Sequence, residues 1–170
     1  MRPGGVDRWM TPLALRIGFV LLTLAHLDWA RLALTGGLPL FGAALLVEAL
    51  AFAALAWRPA LARPAALVAI ACEITGILIL GFVGLSLAYN LVIVAGLALV
   101  AWRASFAPGA YVAVAGYGLY GANAVANGET FLLLGLVLAF AGWAIVSWTA
   151  FAARQPSVAT SADAHAGARP

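Results

Sequence analysis

Apolar residues run along this chain in stretches of about 20, broken by short groups of Pro, Gly, Arg and Asn, and a helix of that length crosses a bilayer hydrocarbon core of roughly 30 Å. The first helix is expected from Pro12 to Leu34, with Thr11 as N-cap and Pro12 at the first helical position, where a missing N–H costs nothing. Thr35-Gly36-Gly37 ends it. The second is expected from Pro39 to Trp57, stopped by Arg58-Pro59, the third from Leu61 to Phe82 and the fourth from Gly84 to Trp102. No charge or Pro separates the third from the fourth. Without a turn between Gly81 and Ser86 that run would be about 40 residues, or about 60 Å, twice the hydrocarbon depth. A break over Ser105 to Gly109 leads into a fifth helix, Pro108 to Ala126, and Asn127-Gly128-Glu129 turns into a sixth, Thr130 to Ala152.

These elements predict an all-α integral membrane protein, a bundle of six transmembrane helices over 12–152, or five if the third and fourth fuse. Residues 1–11 read as a cytoplasmic N-terminal segment. Residues 153–170, rich in Ser, Thr, Gln, Asp and Ala, read as a disordered cytoplasmic tail that buries too little to order itself. Short cytoplasmic segments of membrane proteins carry the excess of Arg. Six helices with both ends in the cytoplasm put Arg2, Arg8, Arg16, Arg58, Arg63, Arg103, Arg154 and Arg169 on or near that side and leave only Arg31 outside. A five-helix chain would place Arg103 and Arg154 on opposite sides. The expected location is the cell membrane, as a multi-pass protein.

Composition changes the picture by exclusion. With 65% hydrophobic and 9% charged residues, no water-soluble surface of this size can be built, so the solvent is lipid. The net charge of +3 comes from Arg residues scattered singly between apolar runs, which form no nucleic-acid patch. The N-terminus starts as a secretory signal does, but Arg16 interrupts its apolar run and no small-x-small cleavage site precedes polar mature sequence, so a retained first helix is expected. The single Cys72 can form no intrachain disulfide. Trp57, Trp102 and Trp148 recur at near-equal spacing with Arg close behind. Three repeated hairpins would produce that, and so would the shared preference of Trp and Arg for the cytoplasmic interface.

Polar side chains inside the spans are the candidates for chemistry, because an ionised group at the bilayer centre costs about 2.5–3.5 kcal/mol. Glu48 falls mid-way along the second helix and Glu73 near the middle of the third. Each must be protonated, hydrated or partnered. His26, Asn90 and Tyr120 count to nearly the same depth, about 3–6 Å toward the outer side. The fifth helix adds a stripe, Tyr117, Tyr120, Asn123 and Asn127, on one face. The sixth carries no polar side chain between Phe131 and Val146 and is expected to pack outside the cluster. His26, Glu48, Glu73, Asn90, Tyr120 and Asn123 are therefore the candidate ligand-binding residues, with Glu48 and Glu73 the candidate catalytic acids. The plainer reading keeps the two acids as neutral hydrogen-bond donors between helices, and bonds His26 to Thr23 or to a Glu. Asp28 and Arg31 read as a solvated interfacial pair. Small-x-x-x-small lines at Ala14 and Gly18, and at Gly118, Ala122 and Ala126, predict close helix contacts. His26 with the two carboxylates offers plausible metal-ligand types, but without an HxxxH or paired ExxH spacing no metal is expected. Haem needs a second intramembrane His, and His165 lies in the tail; no cofactor is indicated.

Arg16 early in the first helix, Glu48 within the second, Arg58 and Arg63 at the next turn and the Ala-rich start of the third helix together resemble the DoxX-like membrane family. The resemblance covers the first half of the chain. That family is typically four-helical and includes small subunits of quinone-linked redox enzymes, so the resemblance implies an accessory role and carries over Glu48 alone as a site residue.

Three functions stay open on the sequence. One is binding or transport of a small molecule or lipid through the intramembrane polar site. Another is an accessory subunit of a membrane complex, with partner membrane subunits or further copies of itself. The third is an intramembrane isomerase or cyclase in which one Glu, held in its acid form, protonates an apolar substrate.

Overall fold

A computed structural model describes residues 7–82, 84–103 and 106–152, with side chains from residue 12 onward except that of 107. The expected tail over 153–170, and the side chains of Arg2, Arg8, Thr11, Arg154, His165 and Arg169, lie outside the described residues. Six α-helices follow one another: α1 (Asp7–Thr35), α2 (Pro39–Trp57), α3 (Ala62–Leu80), α4 (Gly84–Arg103), α5 (Phe106–Ala126) and α6 (Leu133–Ala152). Single 3-10 turns, Pro59–Leu61 and Thr130–Leu132, lead into α3 and α6. There is no strand among the described residues.

The helix ends show which signals acted. α2 begins at Pro39 and ends at Trp57, the bounds expected from Pro and Arg-Pro. α3 stops where Gly81 takes a left-handed conformation (φ 62°) and donates its N–H to the Ile77 carbonyl. A residue without Cβ adopts that conformation at no steric cost, so the Gly, not a charge or Pro, separates α3 from α4. The start of α1 corrects the expectation: the helix begins at Asp7 and Pro12 lies inside it, so Thr11 is not its N-cap. Pro12 removes one bond in the second turn, where the helix continues through it. α5 starts two residues ahead of Pro108, which leaves Pro108 in the first turn, where N–H groups have no intrahelical partner.

The helices close into a ring in chain order, each packed on the next, with α6 returning to α1. Glycines set the closest approaches. A Cβ on Gly18 would lie 2.9 Å from the Gly142 carbonyl oxygen, and a Cβ on Gly142 2.8 Å from that of Gly18, so the α1–α6 closure needs both. A Cβ on Gly96 would come within 2.8 Å of both Gly109 O and Ala113 N, which brings α4 and α5 together through backbone. The contact face of α5 is thus Gly109, Ala113 and Gly116. Ala122 and Ala126 of the expected line are exposed, and Gly118 has room for a Cβ at 3.4 Å from Phe140.

Inside the ring the two ends differ. Phe19, Leu22, Phe52, Leu55, Leu97, Ala113, Trp143 and Val146 fill the end near Arg58 and Arg103. The other end, bounded by the α1–α2, α3–α4 and α5–α6 connections, holds a cavity. The outer surface is apolar, with Leu40, Leu50, Leu78, Leu85 and Val137 exposed. Five helices, all but α5, are long and apolar enough to cross a membrane. The Gly, Tyr and Asn residues of α5 dilute its hydropathy, and of these Tyr117, Tyr120 and Asn123 line the ring interior while Tyr111 is exposed.

Candidate binding cavity

The cavity has a volume of about 690 Å³. Its lining runs from the loop end, with Leu38, Phe82, Asn127 and Glu129, inward to Glu48, Glu73 and Ile93. Most of the wall is aromatic or aliphatic. Tyr89 and Tyr120 stack across α4 and α5 with ring centres 4.4 Å apart, and Trp29 stacks on Tyr117 at 5.9 Å. These pairs join α4 to α5 and, across the interior, α1 to α5 with rigid, flat surfaces.

At the boundary between cavity and packed core three ionisable side chains converge. His26 on α1 is fully buried, and its Nδ1 lies 2.7 Å from the Leu22 carbonyl oxygen. A carbonyl only accepts, so Nδ1 carries the proton and a neutral ring turns its Nε2 lone pair inward. That Nε2 is 3.5 Å from Glu48 Oε1 on α2. The Glu48 carboxyl is 1% exposed, and neither of its oxygens, nor His26 Nε2, has an aligned hydrogen-bond partner. Glu73 on α3 is half-buried at the cavity wall and accepts a hydrogen bond of 3.3 Å from the Tyr117 hydroxyl on α5. One ligand atom from each of His26, Glu48 and Glu73 lies within 4.8 Å of the others.

The structure therefore brings ligand atoms of His26, Glu48 and Glu73 within 4.8 Å of one another. It places Asn90, Tyr120 and Asn123 farther along the same cavity. Asn90 is buried and gives its amide to the Ser86 carbonyl at 2.8 Å, one turn back on α4. Thr23 bonds Phe19 O and not His26. Asp28 and Arg31 form the expected pair at 2.8 Å, with Arg31 largely in the open. α6 closes the ring between α5 and α1 but contributes no lining residue to the cavity, so it packs outside the polar cluster as expected; its Trp143 meets Phe52 edge-on at 5.8 Å beneath the site. Sequence reasoning missed Trp29, Tyr89 and Glu129 as lining residues. Trp29 follows His26 by three, which puts the two on one face of α1, but a Trp at that depth suits a headgroup belt as well, and Tyr89 lies next to Asn90, a spacing that gives no shared face.

Comparison with family models, with curated proteins and with solved structures finds no match.

Proposed function

We propose that this chain is a six-span membrane protein with both termini in the cytoplasm that binds a small, largely apolar molecule in the cavity of its helical ring. The observation that carries the reading is the cavity itself. Its volume, about 690 Å³, falls in the range of about 300–1,000 Å³ typical of small-molecule sites, which combine apolar walls with a few convergent polar groups. The aromatic pairs supply the walls. Glu48, Glu73, Asn90 and Asn123 supply the polar groups.

The six-span topology rests on two supports. α5 has 21 residues, a length of about 31 Å, and it sits between two helices that meet the apolar criterion, α4 and α6. The described Arg58, Arg63 and Arg103 all lie at the packed end, and Trp57, Trp102 and Trp148 are exposed near it, as a cytoplasmic interface requires. The cavity then opens to the outer side. Binding is favoured over passage because Phe19, Leu22, Phe52 and Trp143, all buried, close the inner end. The DoxX-like resemblance carries Glu48 to the acid that faces His26.

The test is a thermal-shift screen of apolar, polar-ended compounds against the protein in nanodiscs. A ligand at 100 times its Kd should stabilise by about 2.7 kcal/mol. Asn123→Trp, which fills the cavity, should abolish the shift while the chain keeps its helical spectrum. Ligands that stabilise Asn123→Trp as well as wild type would overturn the assignment.

A further inference from the structure

We propose that the inner end of the cavity is a binding site for one divalent transition-metal cation, held by His26 Nε2 and by carboxylate oxygens of Glu48 and Glu73. The inference rests on the cavity reading above, and it deepens it by giving the polar end a chemical occupant.

Four observations converge. First, the donor set matches. An imidazole nitrogen with two carboxylates suits Zn²⁺, Mn²⁺ or Fe²⁺, whereas Mg²⁺ and Ca²⁺ favour sites made of oxygen alone. Second, the spacing is near what ligation needs. Two donors bound at about 2.0–2.1 Å in a tetrahedron stand about 3.4 Å apart, and Nε2 and Oε1 are 3.5 Å apart. The widest separation in the group is 4.8 Å, and it involves Glu73, the half-buried ligand at the cavity wall, so its carboxylate is the one that has to move inward on ligation. Third, the supporting shell is in place. Metal-bound His residues donate their other ring N–H to a carbonyl or carboxylate, and ligating carboxylates are themselves hydrogen-bonded; Leu22 O receives the Nδ1 proton and Tyr117 donates to Glu73. Fourth, the polar atoms that face each other lack aligned hydrogen bonds. His26 Nε2 and both Glu48 oxygens are buried without hydrogen bonds, a costly arrangement in a low-dielectric interior.

Charge closes the argument. Two carboxylates, a neutral imidazole and a dication sum to zero, the state a lipid-embedded site tolerates best. Three carboxyl groups line the cavity, Glu48, Glu73 and Glu129, with no Lys or Arg among them, so the approach attracts cations. The ligands come from three different helices, which is why no local motif announced them. Three protein donors leave a coordination position turned toward the cavity, as in sites that keep one open for water or substrate.

Titration of tag-free, chelator-treated protein with Zn²⁺ by calorimetry, and with Co²⁺ by visible absorption, tests the assignment. The expected result is one equivalent per chain and a Co²⁺ spectrum of four- or five-coordinate intensity. Affinity should fall at least 10-fold in each of His26→Gln, Glu48→Gln and Glu73→Gln, and by about 10-fold with unchanged stoichiometry in Tyr117→Phe. Should Glu48→Gln fail to fold, the half-buried Glu73→Gln carries the test. No stoichiometric uptake, or uptake equal to wild type in His26→Gln and Glu73→Gln, would overturn it and would leave a proton as the occupant of the pair. Zn²⁺ uptake with no organic compound shifting the melting temperature would sustain the metal site and remove the small-molecule reading. Organic binding unchanged by chelation, with no Zn²⁺ uptake, would do the reverse.

Discussion

Uncoupling His26 from Glu48 offers the sharpest energetic test of the site. Both residues are at most 1% exposed, so water cannot replace a lost partner. Breaking a buried pair in a soluble protein costs about 3–5 kcal/mol, but side-chain couplings measured inside membrane proteins average about 0.6 and reach about 1.7 kcal/mol. The 3.5 Å separation without aligned geometry argues for the smaller scale. Complete burial of both groups argues for its upper part. In chelator, His26→Phe and Glu48→Leu should therefore couple by about 1–1.5 kcal/mol, each single variant costing about 2 kcal/mol and the pair together less than their sum. Phe is chosen at 26 so that the ring contacts with Trp29 at 5.2 Å and Phe52 at 4.9 Å survive. Unfolding by SDS titration or steric trapping in bicelles reads the three variants. Additivity within about 0.3 kcal/mol would show that the two side chains do not interact, and the convergence of α1 and α2 at this level would be refuted.

Three further outcomes follow from the packing and topology. Tyr117→Phe removes one hydrogen bond of 3.3 Å to Glu73 and should cost about 0.5–1 kcal/mol in the same unfolding assay; a cost above 2 kcal/mol would mean that the hydroxyl has a larger role. Gly96→Val places side-chain atoms against Gly109 O and Ala113 N and should destabilise by about 1–3 kcal/mol, whereas Gly121→Val, where a Cβ meets nothing within 4 Å, should stay within about 1 kcal/mol of wild type. In a Cys72→Ala background, Cys at the exposed positions Thr35 and Asn127 should react with an impermeant maleimide on intact cells, and Cys at exposed Ala60 only after permeabilisation; the opposite pattern would invert the topology.

Hydropathy and punctuation made the helices legible, since Pro39 suits the first turn of a helix and Arg58-Pro59 and Asn127-Gly128 disfavour continuing one through lipid. The start of α1 was not legible, because a Pro is compatible both with the first turn and with a position a little inside a helix. Glu48, Glu73 and His26 stood out because burial of such groups in lipid is costly. Their convergence did not. It depends on helix rotation, and the order of packing around the ring, including the Gly18–Gly142 closure, is written in contacts far apart in sequence. The aromatic wall stayed hidden for a similar reason: Trp29 and Tyr89 suit a headgroup belt as well as a cavity, and only the ring turns them inward.

An experimental density map of the chain in lipid nanodiscs, prepared without chelator, is the most direct measurement of the central claim. It should show His26, Glu48 and Glu73 around one point inside a closed ring of six helices, with non-protein density between Glu73 and the Tyr89–Tyr120 stack. A rotated α1 that points His26 at acyl chains, or side chains packed through the space between Tyr117 and Phe41, would contradict it.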